Sequence, residues 1–599
     1  MAFQKTPHTY NNIALPAYTN KKKHFAMKKI LFLISIMLCT SLHAQVCPDF
    51  TELSDSRPAD DSTQWHKRVK RSRAAWGSTA VHYERHRIPE NTNGKLKLRA
   101  WRGERVNAQA VFWTAQAAPG ITLSKSELRN GKHVIAAENI ELCFVRYVLT
   151  DSLKNNQGGC GYRLNKAEWD SLLVADILDP RTSLDIVQCS TRPVWLSVSI
   201  PADAQPGTYK GSIGIGKHRL PYEITVLPRT LTAPQERPFH VDFWQNPYAA
   251  ARFFNVPLWS DEHFEAMRPN MKKLAEAGQK VITTAVMNRP WNGQTEDAFR
   301  SMVMRLRHPD GTWTYDYTVF DRWVEYVMSF GITQQINCYT MVPWNLEFDY
   351  VDVSTAGVCR IKAQPGTQAY EDYWLPFLKD FARHLKEKGW FERTCIALDE
   401  RPRQHMRAAI ELLHKADPGY RISSQCHYYP EVEPQVYDLC LPFGETLPVE
   451  VRERRAAEGK VSTVYTCCTE ARPNVFVCSA TSEAVWLPLH AMASGLDGYL
   501  RWAYNSWTKS PLQDARFRTW VGGDCYIVYP GASSIRMERF IEGLQAAEKV
   551  RLLREEYRAN GNESALKPLE EALSRFRARL LQEGDAEQDV NALLPLLNP

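Results

Sequence analysis

One stretch of this 599-residue chain, Thr394-Cys395-Ile396-Ala397-Leu398-Asp399-Glu400-Arg401-Pro402, combines reactive side chains with a reason for them to be presented. A short apolar run ends in two adjacent carboxylates, and a proline then stops it. The run has the length of a fully buried strand. In a parallel β-barrel the side chains at the C-terminal strand ends are the ones that meet substrate. A carboxyl group there can hold, donate or accept a proton. Adjacent acids also occur at Asp60-Asp61, Asp261-Glu262, Glu296-Asp297, Glu371-Asp372, Glu555-Glu556 and Glu570-Glu571. Most of those lie in polar or helical surroundings and read as solvated surface, with Asp261-Glu262 favourably placed at a helix start. Only Asp399-Glu400 directly follows a buried-strand pattern. Its alternative role is an ion pair with Arg401 or Arg403.

The flanking periodicity predicts what must carry this pair. Strand-like runs at 239–244, 281–287, 333–340, 394–398, 421–426, 436–441, 461–467 and 498–504 alternate, for the most part, with helical stretches. Helices are predicted at 261–277, 320–330, 370–388, 403–415, 449–457 and 482–494, most of them ended by a glycine. Eight strands mostly separated by helices predict a (β/α)8 TIM-like barrel. Ahead of it, residues from about 74 to 232 read as short alternating strands with turn signals, an antiparallel β-sandwich. The predicted organisation is a leader over 1–44, a sandwich domain over 45–232, a barrel over 233–535 and a C-terminal helical segment over 536–599.

In this register the strand ends bring together Trp244, Asn246, Asn288, Tyr339, Asp399, Glu400, His427, Tyr428, Tyr465, Arg501, Trp502, Tyr504 and Asn505. That is a pocket with a carboxylate pair, aromatic walls and hydrogen-bonding amides. It has no metal-ligand cluster, phosphate-cradling glycine loop or nucleophile elbow, so neither a metal nor another cofactor is expected. Glycoside hydrolysis suits it. Neighbouring carboxylates on one strand diverge, so they cannot face each other across a sugar as an ordinary pair does. They fit a substrate-assisted arrangement instead. Glu400 would donate the proton, and Asp399 would hold a 2-acetamido group whose own carbonyl oxygen attacks the anomeric carbon.

The remaining residues carry two readings each. Trp502 and Trp507 could stack on sugar or fill the core. Tyr428 or Tyr465 could donate to the acetamido carbonyl. Asn288 could bind a sugar hydroxyl or cap a helix. Arg501 is expected to support the carboxylates, and Arg102, Glu104 and Arg105 to form an interdomain ion network.

The bulk composition fits this picture. Hydrophobic residues make up 44% and charged residues 24%, as in a globular chain, and 18 Trp with 25 Tyr suit sugar binding. The formal charge of +7 is concentrated at the start, where residues 1–44 hold six lysines and no acid. The remainder is nearly neutral, which argues against a nucleic-acid partner. Lys28-Lys29, the apolar run from Ile30 to Leu38 and Leu42-His43-Ala44 read as a secretory signal, with Met27 as the expected start. The apolar run is too short to span a membrane. An exported protein, periplasmic or extracellular, is therefore expected, acting on a glycan with a terminal 2-acetamido sugar.

Three further blocks sharpen this reading: Arg102-Gly103-Glu104-Arg105-Val106-Asn107-Ala108-Gln109, the run 498–507 from Gly498 to Trp507, and Gly523-Asp524 through Val528-Tyr529-Pro530-Gly531 and Ser533-Ser534-Ile535-Arg536 to Glu542-Gly543. Together with Leu398-Asp399-Glu400-Arg401-Pro402 they resemble glycoside hydrolase family 123. The resemblance covers most of the chain after the leader. It implies a β-N-acetylgalactosaminidase acting with retention through its substrate's acetamido group. It assigns Asp399 to orienting that group and Glu400 to acid/base work. The chain departs from the family pattern in the seventh strand, where Thr463 and Val464 stand at positions expected to be aromatic.

Overall fold

Eight short parallel strands form the frame of the site: β1 (His240–Phe243), β2 (Val281–Ala285), β3 (Gln335–Tyr339), β4 (Thr394–Leu398), β5 (Arg421–Gln425), β6 (Asp438–Pro442), β7 (Val461–Tyr465) and β8 (Gly498–Arg501). The structure, a computed structural model, describes residues 47–153, 169–518 and 520–599. The expected leader over 1–44 and the Met27 start lie outside the described residues.

Each barrel strand pairs in parallel with its sequence neighbour, and β8 returns to β1. Between β1 and β2 closure is by a single bridge, Val241 to Gln279, with the Lys280 N–H donating to the Val241 carbonyl at 3.0 Å. Gly498 makes the β8–β1 seam possible, because a Cβ there would sit 1.8 Å from the His240 carbonyl oxygen. The strands are apolar on the helix side and partly polar inside. Asp438 of β6 accepts from Gln335 Nε2 at 2.7 Å and from Ser423 Oγ at 2.9 Å, so the interior is cross-linked across three strands. These three polar groups are tolerated inside because they are hydrogen-bonded to one another.

Two excursions were not anticipated. The connections after β2 and β3 each hold a hairpin, Met304–Arg307 with Trp313–Asp316 and Glu347–Asp352 with Gly357–Lys362. Parallel pairing of Leu306 with Val351 joins them into one four-stranded sheet beside the barrel mouth. Between β5 and β6 the connection has only a 3-10 turn, Glu433–Gln435.

The N-terminal region is built from two sheets of six and seven strands. Pairing is antiparallel except between Leu96–Arg102 and His218–Thr230, which run parallel. The chain also comes back to this region after the barrel. Ser533–Ser534 pairs antiparallel with Trp169–Asp179 and is the sixth strand of the six-stranded sheet. The helix Ile535–Ala559 then packs along the sandwich and carries buried ion pairs into it. Arg105 meets Glu538 at 2.7 Å, Glu104 meets Lys549 at 2.7 Å, and Arg536 meets Asp176 at 2.9 Å. The predicted ionic seam is therefore present through Glu104 and Arg105, whereas Arg102 donates to the Pro228 carbonyl. A cleft of about 270 Å3 opens beside this seam, lined by Glu141, Lys273 and Glu538. Those three charges are bound to one another or to Arg105.

Candidate active site

β4 delivers the carboxylates as its sequence suggests. Thr394 to Leu398 are buried, and the chain leaves the strand at Asp399 and Glu400, on the C-terminal face of the barrel. The two side chains then part. Asp399 is buried and turns toward the connections after β2 and β3. Its Oδ2 accepts from Trp291 Nε1 at 2.8 Å and from an Arg401 guanidinium nitrogen at 2.7 Å, and its Oδ1 accepts from Arg401 Nε at 2.9 Å. Glu400 is exposed and turns toward β7, where the Tyr465 hydroxyl donates to its Oε1 at 2.5 Å. Burial and the neighbouring Glu400 charge push the Tyr465 phenol far above its usual range, so it stays a donor.

This geometry divides the acids by function. A carboxylate offers about four acceptor positions, and three on Asp399 are occupied by rigid donors. Asp399 is thus a firmly held carboxyl with room for one more donor on Oδ1. Glu400 has one neutral donor, solvent access and, among the described residues, no ion-pair partner.

Aromatic rings form a wall beside Asp399. Trp244, at the end of β1, stacks on Trp291 with centroids 4.9 Å apart, and Tyr339, at the end of β3, packs against both at 4.5 and 4.9 Å. All three are buried. The Tyr339 hydroxyl donates to Gln425 Oε1 at 3.2 Å inside the barrel, so its ring rather than its oxygen belongs to the wall.

Several expected contacts are spent elsewhere. The Asn288 amide braces the inserted hairpins, donating to Asp349 Oδ2 at 3.0 Å and accepting from the Ser301 N–H at 2.8 Å. Arg501 does not reach Asp399 or Glu400. It lies fully buried against Asp524 at 2.5 Å, Asn474 and the Thr466 carbonyl, where it holds the loop after β7. Trp502 donates to the same Asp524 carboxylate at 3.2 Å. The Tyr504 hydroxyl reaches the Asn270 carbonyl at 2.7 Å in the core. Asn505 exchanges two hydrogen bonds with the Asn246 backbone, tying the ends of β1 and β8 together. Trp507 is fully buried, with its indole N–H on the Val528 carbonyl. The polar atoms of Asn288, Arg501, Tyr504 and Asn505 are thus engaged by protein groups at and behind the mouth. Tyr428 is half-buried at the rim, where its N–H and the His427 ring both meet Glu445.

Trp291 and Arg401 are the Asp399 partners that sequence reasoning missed or placed otherwise. Arg401 was foreseen only as a competing ion-pair partner, yet it clamps the anion the site needs. Trp291 sits in a Pro290-Trp291-Asn292-Gly293 turn. A large aromatic in a loop just past a barrel strand is the signal that could have found it.

A parallel barrel with paired acids and an aromatic wall at its mouth defines a glycosidase. Comparison with known proteins gives the family. The glycoside hydrolase 123 catalytic domain matches residues 244–553, and the glycoside hydrolase 123 N-terminal domain matches residues 76–217. The chain belongs to glycoside hydrolase family 123. Among solved structures it is similar to a family 123 glycoside hydrolase from Clostridium perfringens, the subject of a structural study of glycolipid glycan hydrolysis. That match has 24% identity and a TM-score of 0.77, and covers 88% of this chain and 97% of the other. Matches to a Bacteroides fragilis protein (10% identity, TM-score 0.25, 78% and 79% covered) and to an amylomaltase from Corynebacterium glutamicum (9%, 0.26, 76% and 89%) are too remote to carry an argument. No curated protein matches the chain.

Proposed function

We propose that this glycosidase is an exported enzyme that removes terminal β-linked N-acetylgalactosamine from glycans, with retention and through participation of the 2-acetamido group. The observation that carries the reading is the divergence of Asp399 and Glu400. A protein nucleophile would have to stand across the sugar from the acid. Here both carboxyls come from one strand end, and the better held of the two is walled by aromatic rings.

In the proposed reaction the acetamido N–H donates to the open position on Asp399 Oδ1. That contact turns the carbonyl oxygen toward the anomeric carbon and stabilises positive charge developing on the amide. Arg401 and Trp291 fix the carboxylate, so little reorganisation is needed as charge builds. Glu400 protonates the leaving oxygen. The carbonyl oxygen forms its bond to the anomeric carbon as the glycosidic bond breaks, closing an oxazolinium ring. Glu400, now ionised, takes a proton from the water that opens that ring, which restores both groups and the original anomeric configuration.

The test is an assay of chromogenic β-N-acetylgalactosaminide and β-N-acetylglucosaminide side by side, together with a thiazoline analogue of the cyclised intermediate. Turnover of the galacto substrate with thiazoline binding far tighter than product is expected. Activity on a 2-hydroxy galactoside equal to that on the acetamido sugar sinks the participation mechanism. Preference for the gluco substrate replaces the sugar assignment. For export, a mature N-terminus at Gln45 is expected, and retention of residues 28–44 overturns it.

A further inference from the structure

Trp344 is the one exposed tryptophan among the described residues, with 46% of its surface open. It lies on the connection after β3, immediately following the buried Met341, Val342 and Pro343, and its N–H donates to the Pro290 carbonyl at 3.2 Å. That donor is the backbone N–H, so the segment carrying the ring is tethered to the turn that holds Trp291. The Arg401 guanidinium lies over the Trp344 ring at 5.0 Å from its centroid, the same guanidinium that clamps Asp399. One side of the indole is thus backed by a fixed cation, and much of the ring stays wet.

Exposing a tryptophan forfeits hydrophobic stabilisation, and a single exposed aromatic on the lip of a catalytic mouth is where a ligand would recover it. The inner aromatic residues, Trp244, Trp291 and Tyr339, are buried against one another and against Asp399. They suit the terminal sugar, which enters first. Whatever that sugar is attached to must remain at the rim.

We infer that Trp344 is a stacking platform for the pyranose on the leaving side of the scissile bond, taking the apolar C–H face of that sugar on its open side. The inference rests on the proposed removal of a terminal sugar. It makes Trp344 a specificity-determining residue that selects glycan leaving groups over small ones.

The experiment compares Trp344→Ala and Trp344→Phe with the unmodified protein on two substrates: a disaccharide ending in β-N-acetylgalactosamine and the corresponding β-glycosyl fluoride, whose leaving group is one atom. Thermal melts check that both variants fold. Expected for Trp344→Ala is a fall of about ten-fold in kcat/KM on the disaccharide, mainly through KM, with the fluoride within about two-fold. Trp344→Phe should recover most of the disaccharide activity. An equal fall on both substrates overturns the platform and leaves only positioning of Asp399 through Arg401. No change on either also overturns it. If the unmodified protein cleaves neither substrate, the terminal-sugar reading fails and the platform falls with it. A platform failure on its own is recognised by an active unmodified enzyme.

Discussion

At the seam between sandwich and barrel, Glu538 lies against Arg105 at 2.7 Å and Lys273 at 3.1 Å; at the barrel mouth, Glu400 lies against one phenol and solvent. Burial alone would raise the Glu538 carboxyl, yet the two cations outweigh it and hold it down at about 2. Glu52 of the sandwich behaves the same way, held at about 2 by Arg192, Arg146 and Arg85 against the effect of burial. These acids are committed to the ionised form, and the structure leans on it. Glu400 has no ion-pair partner among the described residues, so no such commitment is built around it. Asp399 falls between the two: buried and cation-bound like the seam acids, yet with an acceptor position turned to the mouth.

The largest separation should come from Glu400→Gln. It should cut turnover of glycosides by about a hundred- to ten-thousand-fold, with a melting temperature like that of the unmodified protein. A variant that melts early would place Glu400 in the structural class. Glu538→Gln should do the reverse. Leaving Arg105 and Lys273 buried around a neutral group should cost about 3–5 kcal/mol in denaturant unfolding, while the folded fraction keeps its kcat.

The same comparison predicts a pH response. Glu52 and Glu538 bind protons less readily folded than unfolded. Their contribution is therefore complete above the ordinary carboxylate range and is lost as pH falls toward about 2. Stability that stays flat from pH 5 down to 2.5 would contradict this.

A smaller effect is expected at Tyr465→Phe, which removes the sole neutral donor on Glu400. We expect kcat to fall about ten-fold with little change in KM, read from steady-state kinetics. A change confined to KM would make Tyr465 a binding residue instead.

The smallest effect, and the one of opposite sign, should be at Asp242 in the barrel interior. Burial pushes its carboxyl well above the usual range, and the nearby charge of Asp438 adds to this. A raised group is stabilising only while protonated, so its contribution fades as pH rises past the ordinary carboxylate range. Asp242→Asn should therefore melt a few degrees higher at neutral pH and show no gain at pH 4. A loss of stability at both values would show that the carboxyl is needed in its ionised form.

Much of this frame was legible because local signals and global architecture agreed. The β4 run is apolar, short and stopped by Pro402, and the helix Asp261–Glu276 has Ser260 capping its start and Gly278 just beyond its end. The pair of hairpins beside the mouth was not legible. Each strand is four to six residues long inside a loop, and its pairing partner lies on another loop, which no local pattern reveals. Side-chain roles failed for a related reason. The run from Arg501 to Asn505 is rich in groups that bind sugars, and its position is right, but Asp524, Asn270 and Asn246 take up its hydrogen-bonding capacity. Sequence shows which residues are capable of a contact, while only the fold shows which remain unspent.

The two-residue strand Ser533–Ser534 has a practical meaning for anyone cutting this chain. It is the last piece of backbone before the long C-terminal helix, and it completes a sheet belonging to the other end of the polypeptide. A fragment beginning at residue 233 would carry Arg536 and Lys549 without Asp176 and Glu104, and Glu538 without Arg105, beside a hydrogen-bonding strand with nothing to pair with. The sandwich is thus not an exchangeable attachment: the catalytic half is finished only when the opening half is already in place.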